Sequence, residues 1–266
     1  MRLAWAFIRR DFLLKISYRG ALVIELVGIA FFVPVLFYVT QVFGGAESAS
    51  LKPYGGVYFP FLLLGIAFQD YTTISLSSFN TSIREHQMMG TLEIVMLSPT
   101  PVSVILLYSS LWGYVFTSLR FMVYLLTGLF FGLDLSHANI LSFLLSMSLA
   151  ILSFAALGIL TASLTLTIKR GEIATTILTG ATVVLSGVLY PISVLPAPLQ
   201  TVAQFFPFTH ALAGIRKAIL LGASPMELLP ELTALMLFAL ILFPLGLWTF
   251  TVATQRAKVS GTLGQY

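Results

Sequence analysis

The chain has 266 residues, of which 58% are hydrophobic and only 9% charged, and its mean hydropathy is +0.98. A soluble domain carries roughly a quarter charged residues, so the composition excludes a water-soluble enzyme or binding domain of any size and describes an integral membrane protein. The net charge of +4 does not point to nucleic acid, because the basic residues sit at the ends of apolar spans, where headgroups and topology account for them.

Met1 to Gly20 intersperses Arg2, Arg9, Arg10, Lys15 and Arg19 with Trp5, Phe7, Ile8, Phe12 and Leu13, the pattern of an amphipathic helix on a membrane surface. The apolar run from Ala21 to Phe43 is too long for the core of a signal peptide and contains Glu25, so it reads as a retained first span. Further spans are predicted at Val57–Ile83, Val102–Phe131, Asn139–Ile168, Ile173–Tyr190 and Glu231–Ala253, each an apolar run of the order needed to cross ~30 Å of hydrocarbon. The fold class is therefore all-α integral membrane, a single transmembrane domain over residues 1–266 with six spans. Ten of the Lys and Arg residues fall on the side of the termini, against Lys52, Arg216 and Lys217 opposite and Arg120 within a span. The positive-inside rule then places both termini, and the loop at Arg84, in the cytoplasm.

The second span is unusually polar. Asp70, Thr73, Ser77 and Asn80 recur at helical spacing in "FQDYTTISLSSFNTSI", so this helix must face protein or water. An ionisable group at mid-membrane costs about 2.5 to 3.5 kcal/mol on insertion scales. Asp70 and Arg120 lie at similar depths on the second and third spans, and a pairing of the two is expected, as a structural ion pair or as part of a substrate pathway. In spans four and five, Ala156, Gly158, Ala162, Ser163, Gly180, Ser186 and Gly187 suit close helix contact.

Between the second and third spans lies "REHQMMGTLEIVMLSPTP", Arg84 to Pro101. Gly90 breaks the emerging helix, Thr91 is placed to cap a new one, and Ser98, Pro99 and Pro101 end it. Leu92, Val95 and Met96 share a face, with Arg84, Glu85 and Glu93 as polar neighbours. A short cytoplasmic helix is predicted, either a connector or a docking element. Between Tyr190 and Glu231, six prolines interrupt an apolar stretch, which predicts two or three short helices in an outer re-entrant hairpin over residues 191–230. The last is opened by the Ser224, Pro225, Glu227 capping-box spacing. Arg216 and Lys217 on this hairpin are expected to snorkel to headgroups.

Two of these stretches carry a family resemblance. An acidic residue followed by "GTLE", an apolar run and "SP" resembles the loop after the second span in permeases of type-2 ATP-binding cassette exporters, the drug, lipid or polysaccharide branch. "LSGVLYPISVLPAPLQTVAQFFPFTHALAGIRKAILLG" is similar to the region around their fifth span and outer re-entrant helices. "EHQMMG" departs from the more charged run of many relatives. The resemblance implies a subunit that dimerises, homodimer before heterodimer, and docks two ATP-hydrolysing subunits through a coupling helix containing Glu85, Gly90, Thr91, Leu92, Glu93 and Met96. The amino-terminal helix would pack beside that partner. It also implies a prokaryotic plasma (inner) membrane.

None of the five lysines lies in GxxxxGK[ST], so the chain carries no phosphate loop of its own, and ATP and Mg are expected in the partner. There is no cysteine for a disulfide or thiolate site, and His86, His137 and His210 have no ligand spacing, so no metal and no cofactor is expected on this chain. An intramembrane enzyme would need a nucleophile cluster that the spacing does not supply. The competing reading is a self-contained, ion-gradient-driven transporter with Asp70, Glu25 and Arg120 as a relay, although such proteins often repeat their broken helices in both halves and this chain does not.

Overall fold

The computed structural model describes residues 2–17, 19–42, 49–91, 94, 102–168 and 171–260, and among them it is helical with no strand. In chain order, α1 spans Arg2–Ser17, α2 Arg19–Val42, α3 Tyr58–Met88, α4 Val102–Phe130, α5 Ile140–Ile168, α6 Gly171–Leu185, α7 Ala197–Gln204, α8 Pro207–Leu220 and α9 Leu229–Ser260. Short 3-10 turns occupy Ala49–Tyr54 and Ile192–Val194.

Five of these helices, α2, α3, α4, α5 and α9, are long and apolar enough to cross a membrane. The predicted fifth span is shorter than Ile173–Tyr190: α6 stops at Leu185 after 15 residues, about 22 Å of helix against ~30 Å of hydrocarbon. Gly187 has a φ of +73°, a left-handed conformation that does not continue a helix. By contrast α3 has 31 residues, roughly 46 Å, and projects beyond the core.

The polar sequence of α3 makes it the central helix. In its most apolar window 72% is covered by protein, against 17% in α2 and 22% in α9. Phe61, Leu63, Leu64, Phe68, Leu76 and Phe79 are fully buried. Phe68 meets Phe154 of α5 with ring centroids 5.6 Å apart, and Phe154 meets Phe208 of α8 at 4.2 Å. Ala162 is buried with Phe79 and Ile83 of α3 and with Phe250 and Ala253 of α9, where small side chains permit close approach. Gly180, in contrast, has no neighbour within 4 Å of a built Cβ.

The predicted surface helix is present as α1, but part of its apolar side is taken by protein. Phe7 packs on Tyr108 at 6.0 Å, Phe12 on Trp112 at 5.5 Å, and Lys15 Nζ sits 5.0 Å from the Phe116 ring. These pairs advance together along both chains, so α1 runs parallel to the first half of α4. Trp5 and Leu13 stay exposed beside Arg9 and Arg10, leaving an amphipathic outer face.

The predicted short helices of the proline-rich stretch are α7 and α8. The Ser224, Glu227 pair closes a turn ahead of α9 rather than opening a helix: Glu227 Oε2 accepts from the Ser224 amide at 2.6 Å and its hydroxyl at 3.0 Å. The amide bond, then the hydroxyl, holds this exposed carboxyl below its ordinary pKa.

Arg216 overturns the expectation of snorkelling. It is 2% exposed, and its guanidinium donates to the carbonyls of Phe61 (Nε 3.1 Å, Nη2 2.8 Å), Gly187 (Nη1 2.7 Å) and Val188 (Nη2 3.0 Å). Its Cζ lies 3.4 Å from the centroid of Phe61. The carbonyls left over where α6 ends need donors, and Arg216 reaches them from α8. Lys217 instead pairs with Glu231 of α9 at 2.6 Å. Gly65 makes room for this knot, because a Cβ there would run into the Val188 carbonyl oxygen and the Arg216 guanidinium. Gly65→Ala is accordingly expected to destabilise the protein by roughly 1 to 3 kcal/mol, read as a lower thermal midpoint of the detergent-extracted chain.

Candidate functional site: the polar face of α3

Three ionisable side chains meet where α2, α3 and α4 come together. Arg120 of α4 places Nη2 2.9 Å from Asp70 Oδ2 of α3 and Nη1 2.9 Å from Glu25 Oε1 of α2. Asp70 lies 12 residues from the Tyr58 end of α3 and Arg120 ten from the Phe130 end of α4, about 18 and 15 Å along each helix. Opposite charges at similar positions along neighbouring helices compensate one another in an apolar surrounding. The second contact is a hydrogen bond, whereas Asp70 Oδ2 and Arg120 Nε have no aligned hydrogen-bond partner. The three side chains keep 24 to 35% of their surface exposed, so the cluster opens on the outside of the single chain. The sequence grouped Glu25 with Asp70 and Arg120 only in the competing relay reading, and the expected ion pair was Asp70–Arg120 alone; Glu25 shares that arginine.

From Asp70 toward the carboxyl-terminal end of α3, the positions Thr73, Ser77, Thr81, Arg84 and Met88 follow at steps of three and four on one face. Thr73 and Thr81 are exposed and Ser77 is half-buried. Thr73 Oγ1 donates to Gln69 O at 3.0 Å and Ser77 Oγ to Thr73 O at 2.7 Å, which satisfies the protons while the oxygens still point outward as acceptors.

Asn80 lies at the buried edge of this face. It is buried and ties three helices together: its Nδ2 donates to Thr175 Oγ1 of α6 at 2.6 Å and to Thr161 Oγ1 of α5 at 3.3 Å, and its Oδ1 accepts from Thr165 Oγ1 at 2.5 Å. Higher up, Gln69 Nε2 donates to Thr182 Oγ1 of α6 at 3.3 Å. These bonds hold α3, α5 and α6 around a cleft of about 360 Å³, lined by Ser77, Asn80, Thr81, Arg84, Glu85, Met88, Thr165, Thr175 and Thr176. Its α5 and α6 residues, Thr165, Thr175 and Thr176, were not among the candidate site residues read from the sequence.

The cleft sits beside the end of α3. The Gly90 amide donates to Gln87 O at 3.0 Å and the Thr91 amide to His86 O at 2.9 Å, with Gly90 at φ +66°. This is a Schellman closure, which requires a left-handed residue and selects glycine. Thr91 Oγ1 lies 2.9 Å from His86 Nδ1, so the threonine faces back onto α3. Of the residues expected in the coupling helix, Glu85, Gly90 and Thr91 are thus at the terminus of α3, while Leu92, Glu93 and Met96 lie outside the described residues, as do Val95, Ser98, Pro99 and Pro101. No cluster of three His, Cys, Asp or Glu side chains suited to a metal occurs among the described residues.

A family model described as the ABC-2 type transporter matches residues 2–220. The chain belongs to the ABC-2 type transporter family. Its helices, five of them membrane-capable, are those of an ABC-2 membrane domain, which makes the chain the permease component of an ABC transporter rather than its ATP-binding unit. An ATP-binding cassette partner follows from ABC-2 membership. A search of curated proteins finds no match.

Proposed function

We propose that this ABC-2 permease exports or flips an amphiphilic, drug-like or lipid-linked substrate, using ATP and Mg held by separate nucleotide-binding subunits. Two copies of the chain form the pathway as a homodimer in a prokaryotic plasma membrane, each crossing it six times with both termini in the cytoplasm. In this reading α6 completes the crossing together with the outer helices α7 and α8, which form a re-entrant cap. The observation that carries the proposal is the Schellman closure at Gly90. It ends the central helix at the start of the "GTLE" segment, so a partner pushing on that segment acts directly on α3. ATP-driven closure of the partner then moves α3 as a rigid element and changes access to its polar face.

The test is affinity purification of the tagged chain from mild detergent, followed by mass spectrometry and an ATPase assay, for wild type and a Gly90→Pro, Glu93→Arg double variant. Proline cannot adopt a positive φ, and Glu93→Arg reverses a charge on the segment. Wild type is expected to carry an ATPase that the double variant loses at least tenfold, while the variant still elutes as a folded membrane protein. Absence of any ATPase partner across several detergents and lipids would reject the reading and favour ion-coupled transport through Glu25, Asp70 and Arg120.

A further inference from the structure

We propose that the exposed face of α3, from the inner cleft to the Glu25–Arg120–Asp70 cluster, binds a cationic amphiphile whose positive group pairs with the carboxylate charge that Arg120 leaves over. This rests on the permease reading and names the substrate class it serves. The first observation is the cleft. At about 360 Å³ it is within the range of small-molecule sites, roughly 300 to 1,000 Å³, and it combines hydroxyl acceptors with the apolar Met88. Arg84 and Glu85 both line it, so their charges offset and the cleft itself does not select a sign.

The second observation is the charge count at the other end of the same face. One guanidinium is shared by two carboxylates, so with all three ionised the cluster carries one surplus negative charge. At mid-span that charge is costly unless a cation or proton balances it. Both carboxylates retain exposed surface, so a counter-ion has access. An anionic ligand gains nothing there, because Arg120 already faces two carboxylates. The cleft and the cluster lie on the same face of α3. Seven residues separate Ser77, in the cleft lining, from Asp70, about 10 Å along the helix, and Thr73 exposes a hydroxyl oxygen between them. A molecule with an apolar body in the cleft and a cation one or two turns away fits this spacing.

The experiment uses the full-length chain in phosphatidylcholine nanodiscs, with tetraphenylphosphonium and tetraphenylborate as probes of equal shape and opposite charge. Binding is measured by equilibrium dialysis, with empty nanodiscs subtracted. Wild type is expected to bind the cation saturably and the anion at least tenfold more weakly. Glu25→Gln removes the surplus charge but keeps a neutral Asp70–Arg120 pair, so it is expected to fold and to lose at least tenfold in cation affinity. Asp70→Asn, which keeps Glu25–Arg120, is expected to do the same. Equal binding of the two probes to wild type would overturn the proposal without recourse to any variant, as would a folded Glu25→Gln protein with wild-type cation affinity. A co-purifying ATPase without charge-selective binding rejects this site alone. Charge-selective binding without an ATPase partner supports the site and rejects the exporter reading.

Discussion

Arg216→Met is expected to destabilise the protein by roughly 3 to 5 kcal/mol, the sum short of full additivity of about 1 to 3 kcal/mol for each buried acceptor left without a donor. Two carbonyls beyond the end of α6, those of Gly187 and Val188, take their donors from this guanidinium, and Phe61 loses both a second, charged donor to its helical carbonyl and its stacked partner. Methionine conserves much of the volume, so the loss reports the hydrogen bonds rather than a cavity. The check is the thermal midpoint of detergent-extracted protein by size-exclusion chromatography, where Arg216→Met should fall well below wild type or fail to yield a folded peak. Arg216→Lys should lie between them, because a single ammonium cannot reproduce the planar fork that reaches both α3 and the end of α6. An unchanged midpoint for Arg216→Met would mean that these carbonyls find other donors and that α8 is not fastened through this residue.

Arg120→Gln is expected to prevent stable assembly. It leaves Glu25 and Asp70 facing one another without their shared cation, and breaking a buried pair by removing one partner costs about 3 to 5 kcal/mol. Partial exposure of the cluster puts the expected loss at the lower end, roughly 3 kcal/mol. The decisive comparison is the triple variant Glu25→Gln, Asp70→Asn, Arg120→Gln, which is neutral and should recover the folded yield that Arg120→Gln loses. Recovery shows coupling among the three positions. If Arg120→Gln extracts and melts like wild type, the cluster contributes nothing to stability. If the triple variant is no better than the single one, Arg120 acts through contacts other than its two carboxylates.

Much of the helical layout was legible because its causes are local. Hydrophobic runs of spanning length located α2, α3, α4, α5 and α9 to within a few residues at most of their ends, since each run buries enough apolar surface to be helical in lipid whatever its neighbours. Gly90 was legible as a break because a left-handed closure selects glycine. The length of α6 was not. An apolar run through Tyr190 suggested a full span, but the left-handed turn at Gly187 and the donors from Arg216 let the helix end at Leu185. Arg216 was misplaced for the same reason: a cation in an apolar hairpin ordinarily seeks headgroups, and only the carbonyls brought from α3 and the end of α6 make burial favourable.

Residue order alone dictated a membrane protein, its long helices and a polar second span, because hydropathy and helical periodicity act over one or a few turns. Which polar groups meet was decided on folding. Asp70 and Arg120 matched in depth, yet Glu25 joined them only because α2 packs against α4. Asn80 shared the spacing of Asp70, Thr73 and Ser77 but turned inward to Thr161, Thr165 and Thr175, since the rotation of α3 against α5 and α6 assigns each of its faces. Coordination between residues 95 positions apart depends on helix packing angles and rotation, and those are properties of the assembled bundle.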